Sequence, residues 1–294
     1  MNIAVTGATG FVGRHTVRAL VRAGHRVTAV VRHQTAELPF DKAVMTAAGN
    51  VDDPKGLTAA FAEVDCVVHL VGIIAETRKL TFEKTVVRGT ANVVDACRQA
   101  RVGRLVYLSA MGTGAEAPSR YHQSKYAAEQ AVVQSGLEYV ILRPSVIFGP
   151  GDGFVSMLEN MIRRSPVTPV IGDGRYRLQP IHIDDVTAAI VRSCEMVEAV
   201  GETIDLGGPE KLEYIEILNI LKSVLNKRRR NLFLPVWLMR FGAGLMETVI
   251  KPAPLTRDQL TMMQMGNTGD NGRMKKLFGI EPISLKEGLQ AYMG

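Results

Sequence analysis

"NIAVTGATGFVGRHTVRALVRAGHRVTAVVRHQ", residues 2–34, opens with an apolar run from Ile3 to Val5, halts at Thr6, and sets glycines at Gly7, Gly10 and Gly13 before a helical pattern begins. A second apolar run follows from Arg26 to Val31. The order is strand, tight turn, helix, strand. Each glycine has its own use in such a turn. Gly7 lets the chain reverse without a Cβ, Gly10 lets the backbone approach a bulky anion, and Gly13 lets the helix pack close to the strand. The unpaired amides at the helix start and the positive end of its dipole then face the occupant of the turn. A pyrophosphate fits that description, and a plain strand-to-helix turn does not call for three glycines.

Further along, strand-like and helix-like patterns alternate. Val27 to Val31, Ala43 to Ala47, Cys66 to Leu70, Leu105 to Leu108 and Tyr139 to Leu142 read as short buried strands. Thr85 to Ala100 and Tyr121 to Ser135 read as helices, with Gly24, Gly103 and Gly136 where C-terminal caps belong. Such alternation predicts an α/β fold: a Rossmann-type doubly wound parallel sheet with right-handed crossovers. After Pro144 the rhythm changes. "IFGPGDGF" (residues 147–154) is turn-rich and helices then dominate, except that Asp184 to Leu206 again reads helix then strand and can rejoin the sheet. The expected division is a dinucleotide-binding domain of residues 1–150 plus about 183–206, and a smaller, partly helical C-terminal substrate lobe of 151–182 and 207–294.

Composition narrows the function. The formal charge of +6 is scattered apart from Lys227 to Arg230, whereas a nucleic-acid protein gathers its charge on one face; no nucleic acid partner is expected. Cys66, Cys97 and Cys194 lie far apart without C-x-x-C spacing, and the six histidines are dispersed, so no metal site is expected and a reducing cytoplasm fits. A strand starting at residue 2 argues against a signal peptide, and none is expected. Asn231 to Lys251 is the most apolar stretch, but Arg240 and Glu247 interrupt it and Pro235 breaks it, so it falls short of a spanning helix. It reads either as a core helix of the small lobe or, with Lys227–Arg230 ahead of it, as an amphipathic patch (Leu232 to Ile250) resting on an anionic membrane or a partner protein. The expected location is cytoplasmic, or peripheral on the inner face of a membrane.

Two details bear on chemistry. The second strand ends in Arg32 and His33, where an NAD-selective site carries an acid; arginine attracts a 2′-phosphate instead, so NADP(H) is favoured over NAD(H). Tyr121 and Lys125 are four residues apart on a predicted helix and share a face. A tyrosine acting as a base near neutrality needs a shift of roughly three units, about 4 kcal/mol, toward the phenolate, and a neighbouring ammonium supplies charge of the right sign.

"TGATGFVG" (residues 6–13), "VVHLVG", "RLVYLSAMG", "YHQSK", "LRPSVIFGPGD" and "PIHIDDV" occur in an order that resembles the extended and atypical short-chain dehydrogenase/reductases, the NAD-dependent epimerase/dehydratase type, over most of the chain. Within them, "SAMGTGAEAPSRYHQSKYAAEQAV" and the tail from "LTRDQLTMMQMGN" to "SLKEGLQAY" are similar to the nucleotide-binding accessory subunit of respiratory complex I and its bacterial relatives. The resemblance implies that Gly7, Thr9, Gly10 and Gly13, with the amides of Phe11 and Val12, hold the pyrophosphate. It places Arg32 and His33 at the adenosine end, Asn50 and Val51 at the adenine, and Leu70, Val71 and Gly72 under the middle of the cofactor. Tyr121 and Lys125 match the Tyr-x-x-x-Lys pair, the lysine also holding ribose hydroxyls, and Pro144 to Val146 line the nicotinamide side.

One departure stands out. The family's third catalytic group is a Ser or Thr in a serine run, and here the run reads Ser109-Ala110-Met111. Ser109 is the candidate, with Thr113 as a substitute; loss of such a donor costs 10²- to 10³-fold in rate. Two functions therefore follow from the resemblance: an NADP-dependent oxidoreductase or epimerase/dehydratase, or a weakly active or inactive dinucleotide-binding accessory subunit of a respiratory membrane complex. An acidic-ligand or nucleic-acid regulator of the same superfamily, which keeps the glycine turn, is a third, opposed by the intact Tyr121 and Lys125. Arg175, Tyr176, Arg177 and Gln179 are candidate substrate contacts; the chain is expected to be a monomer or homodimer.

Overall fold

The computed structural model describes residues 1–32, 39–41, 43–249, 253 and 255–293. His33, Ile250 and Lys251, all named above, lie outside the described residues. The amino-terminal half forms β1 (Asn2–Thr6), α1 (Phe11–Arg22), β2 (Arg26–Val31), β3 (Met45–Ala48), α2 (Pro54–Ala60), β4 (Cys66–His69), α3 (Gly89–Gln99), β5 (Arg104–Leu108), α4 (Arg120–Val133) and β6 (Glu138–Pro144). The chain continues through β7 (Ile147–Phe148), α5 (Phe154–Arg164), β8 (Val167–Ile171), β9 (Arg177–Leu178), β10 (Ile181–His182), α6 (Ile183–Glu195) and β11 (Glu202–Leu206). It ends with β12 (Leu212–Glu213), α7 (Tyr214–Val224), β13 (Arg230–Leu234), α8 (Val236–Val249), α9 (Arg257–Met265), α10 (Gly272–Phe278) and α11 (Leu285–Met293).

Seven strands make one parallel sheet in the order β3-β2-β1-β4-β5-β6-β11. The chain starts in the middle, winds out to β3, then crosses back to β4, so its direction reverses between β1 and β4. Ligands of open α/β sheets bind at that switch point, beyond the carboxyl ends of the strands. Parallel strands are covered on both faces and read as unbroken apolar runs. Their side chains still alternate: Ile3, Val5, Val68, Val106 and Val140 enter a core with α1 and α6, while Ala4, Val67, Leu105, Tyr107 and Ile141 enter a second core with α2, α3 and α4. A third cluster fills the smaller lobe, where Val155, Leu158 and Ile162 of α5 meet Ile217, Leu218 and Leu221 of α7 and Leu285 and Leu289 of α11.

Several expectations need correction. β3 runs from Met45 to Ala48 and is largely exposed rather than buried, because it is the sheet's outer strand. The helix expected from Thr85 opens with a π-helical turn, Glu83–Arg88, before α3. Gly24 and Gly136 adopt the positive φ of +85° and +75° expected after helix ends, but after α3 it is Arg101, at +57°, that does so, and not Gly103. The described part of the Asn231–Lys251 stretch, residues 231–249, is not a core helix: it belongs to β13, paired with β8, and to α8, in which only Ala243 and Gly244 are buried. Finally α10, within the stretch expected for the smaller lobe, buries Met274 and Phe278 in the first sheet core.

Candidate active site

The glycine turn leads from β1 into α1. Gly7 takes φ +73°, and a Cβ on it would lie 3.1 Å from the backbone of Leu70 and Val71. A Cβ on Gly13 would lie 2.1 Å from the Gly7 carbonyl oxygen, an overlap no side chain survives. The Gly10 amide donates to the Gly7 carbonyl at 3.0 Å, which closes the turn and aims the first amides of α1, beginning at Phe11 and Val12, outward. Helix-start amides lack intrahelical acceptors. A cavity of about 270 Å³ opens beside them, lined by Gly7, Thr9, Gly10, Arg32, Asn50, Val51, Leu70, Val71 and Gly72, each named above as a candidate cofactor contact. Thr6, Asp52, Leu80 and Thr85 line it too and were not anticipated. A close-approach turn, exposed amides and a cleft at the switch point fit the diphosphate and adenosine portion of a dinucleotide.

Lys125 joins this cavity to the second half of the site. Its Nζ lies 3.3 Å from where a Cβ on Gly72 would stand, donates to the Leu108 carbonyl oxygen at 2.8 Å, and sits 4.9 Å over the Tyr107 ring. Burial lowers its pKa to about 8, against the opposing attraction of Glu129. Tyr121, one turn earlier on α4, packs near Phe82 at 6.0 Å, and burial raises its phenol to about 12. Pro144 ends β6 and accepts from the Met111 amide at 2.9 Å, while Val146 packs against the small-lobe core.

Ser109 directly follows β5, with its backbone amide bonded to the Leu142 carbonyl; its Oγ is buried and, among the described residues, without a hydrogen-bond partner. Thr113 does not stand in for it, since its hydroxyl donates to the Ala110 carbonyl oxygen at 2.6 Å. Gln179, expected at the substrate, is instead buried: its amide donates to the Gly208 carbonyl and its oxygen accepts from Gly269 N. Arg175 and Arg177 are exposed, and Tyr176 stacks on Tyr214 at 5.0 Å.

Two groups escaped the sequence reading. Beneath the switch point, His69 is fully buried with Nδ1 2.7 Å from Thr6 Oγ1 and Nε2 3.2 Å from Thr90 Oγ1. Burial, reinforced by Lys125, lowers its pKa to about 3 and keeps the ring neutral. At the start of α4, Asp258 of α9 accepts from the Arg120 amide (2.8 Å), the Tyr121 amide (3.2 Å) and the Ser119 hydroxyl (3.1 Å). A lone histidine in an apolar run and a capping box at Thr256–Gln259 were the available signals, and neither names its partner.

Residues 3–207 match the family described as the NAD dependent epimerase/dehydratase family. The chain belongs to that family. It is 29% identical over 269 residues to the mitochondrial NADH dehydrogenase (ubiquinone) 1 alpha subcomplex subunit 9 of Arabidopsis thaliana, a match covering 87% of this chain and 66% of that protein, just under two thirds of its length. It is 31% identical over 256 residues to 2-alkyl-3-oxoalkanoate reductase of Stenotrophomonas maltophilia, covering 78% of this chain and 77% of that one. Among solved structures, a UDP-glucose 4-epimerase of Thermotoga maritima shares the fold with a TM-score of 0.80 at 22% identity, over 100% and 97% of the two chains. Among the described residues no group of His, Cys, Asp or Glu is placed to hold a metal ion, and no helix is long and apolar enough to cross a membrane.

Proposed function

We propose that this chain is an NADP(H)-preferring oxidoreductase that reduces a carbonyl substrate, with Tyr121 as proton donor and Lys125 beside it. The observation that carries the reading is the position of Lys125 Nζ against Gly72, which brings the Tyr-x-x-x-Lys helix to the end of the same cavity that the glycine turn opens. Gly7, Thr9, Gly10 and Gly13 with the first amides of α1 would hold the diphosphate, Asn50 and Val51 the adenine, Leu70 to Gly72 the middle, and Pro144 and Val146 the far end. Arg32, exposed on the cavity rim, would meet a 2′-phosphate. When bound, the reduced dinucleotide supplies hydride.

Burial keeps the Tyr121 phenol protonated through the neutral range, the state a proton donor needs. As a carbonyl carbon gains hydride its oxygen gains charge, and the Tyr121 Oη proton passes to that oxygen. The Lys125 ammonium, held by Leu108 O, stabilises the phenolate left behind. Ala110 and Met111 offer no polar side chain, so Ser109 Oγ is the hydroxyl left to polarise the carbonyl. In this reading residues 1–150 with about 183–206 serve the dinucleotide, while 151–182 and 207–294, apart from α10, shape the substrate side. A 2-alkyl-3-oxoalkanoate reductase among the relatives makes ketones with an alkyl chain the first substrates to try.

The test is a carbonyl panel with NADPH and NADH. Tyr121→Phe should lower turnover at least about 100-fold with NADPH affinity retained, and Arg32→Ala should remove the preference for NADPH. Equal turnover by Tyr121→Phe sinks the chemistry. A second reading, an accessory subunit of a respiratory complex, is favoured by the Ser109-Ala110-Met111 departure and by the complex I relative; it gains if NADPH binds and no substrate turns over.

A further inference from the structure

The solvent face of α8 is apolar. Trp237, Phe241, Leu245 and Val249 recur every fourth residue and are 71%, 72%, 60% and 74% exposed, with Leu238 beside them. Residues at that spacing lie along one stripe of a helix. The charged groups of α8 point the other way: Arg240 donates to Thr261 and Gln264 of α9, and Glu247 pairs with Arg257 at 3.2 Å; the polar side chain on the outward stripe, Thr248, donates to the Leu245 carbonyl of its own helix. A surface helix ordinarily turns its apolar face inward; this one is inverted. Leu232 and Phe233 of β13 add two more exposed apolar side chains directly upstream.

Charge identifies the occupant. From Lys227 to Met246 the chain holds five cations and no carboxylate. Lys227, Arg228 and Arg230 are exposed, Arg229 is tied to the Ile162 carbonyl, and the first acid, Glu247, is already neutralised by Arg257. A protein partner would need a groove matched to the stripe; an anionic lipid surface needs only apolar side chains at acyl depth and cations at headgroup depth. A tryptophan at the helix start suits that boundary, where its ring and N–H meet different media. The helix has 14 residues, about 21 Å at 1.5 Å per residue, so it lies in the interface and does not span it.

We propose that the outward face of α8, with Lys227, Arg228 and Arg230, docks this protein on a membrane surface rich in anionic lipid. The inference goes beyond the oxidoreductase reading and stands without it. Docking places the bilayer one helix from the catalytic helix, because α8 packs on α9 and α9 holds the start of α4 through Asp258.

The chain's single tryptophan is Trp237, so its emission reports on this helix alone. The protein is mixed with vesicles of phosphatidylcholine, or of phosphatidylcholine with roughly one third phosphatidylglycerol. The expected result is a blue shift and co-sedimentation with the anionic vesicles, weakened by salt. Phe241→Asp, at an exposed site that keeps Trp237, should lower vesicle affinity at least about tenfold; Lys227→Glu with Arg228→Glu should do so by about the same factor. An unchanged urea-unfolding midpoint in both variants certifies the fold and, needing no dinucleotide, separates this test from that of the oxidoreductase reading. No shift with anionic vesicles at low salt overturns the proposal, as does binding indifferent to Phe241→Asp. Equal binding to neutral vesicles overturns the charge argument, and a lipid-free dimer abolished by Phe241→Asp assigns the face to a second copy instead.

Discussion

Lys125 is an amine held where its charge is costly. Burial lowers its pKa from 10.5 to about 8 although Glu129 opposes the shift. Between those values the unfolded chain binds the proton and the folded chain has released it, so stability rises with pH. Tyr121 acts with the opposite sign. Its folded phenol keeps the proton to about 12 while the unfolded one loses it near 10, so stability falls above pH 10. Lys125 by itself should therefore contribute a gain on the order of 2 kcal/mol between pH 8 and 10 in the cofactor-free protein, opposed by Cys97, whose thiol burial pushes up, and by Cys194, pushed up by its hydrogen bond to Cys66. Urea unfolding across that range measures it. The difference between the parent and Lys125→Met isolates it: the variant should lack that contribution, and identical pH profiles for the two would exclude Lys125 as its source. The i,i+4 spacing of Tyr121 and Lys125 was legible in the sequence because one helix sets it. The neutral His69 between Thr6 and Thr90 was not, because those three residues converge from β1, β4 and α3.

Elements show the same boundary between local and non-local causes. Parallel strands buried on both faces announce themselves as apolar runs, so β1, β2, β4, β5 and β6 could be placed to within a residue or two, and the return of β11 was visible as a helix-then-strand pattern. The outer strand β3 was legible as a strand at Ala43 to Ala47 but not as an exposed one, and the ribbons β8–β13 and β9–β12 depend on partners far along the chain that no local pattern marks. Helix ends divide likewise. Glycine is a readable cap, but α6 ends on a side chain from another element. Arg104, at the start of β5, donates through Nη1 to the carbonyls of Ser193 (3.3 Å), Cys194 (2.9 Å) and Met196 (3.0 Å), and pairs with Glu138 at 2.9 Å. It supplies a cation to the negative end of α6 and satisfies carbonyls that water does not reach. Arg104→Met should lower the urea-unfolding free energy by roughly 2–4 kcal/mol. Glu138→Gln, at a half-exposed side chain, should cost less than about 1 kcal/mol. Equal losses from the two would show that the ion pair, and not the carbonyl cap, holds α6.

At the scale of the whole molecule, α9 ties the parts together. Met262 packs against the sheet core that contains Tyr121, Met263 packs against the small-lobe core, and the Asn267 backbone after the helix accepts from Ser145 at the junction of sheet and lobe. Asp258 then reaches back across some 138 residues of sequence to the first turn of α4. A carboxylate suits that place because it accepts two unpaired amides and a hydroxyl and complements the positive helix end. Asp258 touches neither the cavity nor the phenol, so it is a positioning residue that fixes where α4 begins and hence where Tyr121 stands. Asp258→Asn retains one acceptor oxygen but no charge, and should cost about 1–2 kcal/mol of stability. If it positions Tyr121, hydrogen exchange at the Arg120 and Tyr121 amides should quicken in the variant while the amides around Gly7 to Gly13 and NADPH affinity stay as they were. On a reducible carbonyl substrate, kcat should fall more than KM changes, and Asp258→Glu should restore part of it. Uniformly faster exchange across the sheet would instead mean that Asp258 supports global stability alone, and Tyr121 would owe its position to packing against Phe82 and not to the helix-start clamp.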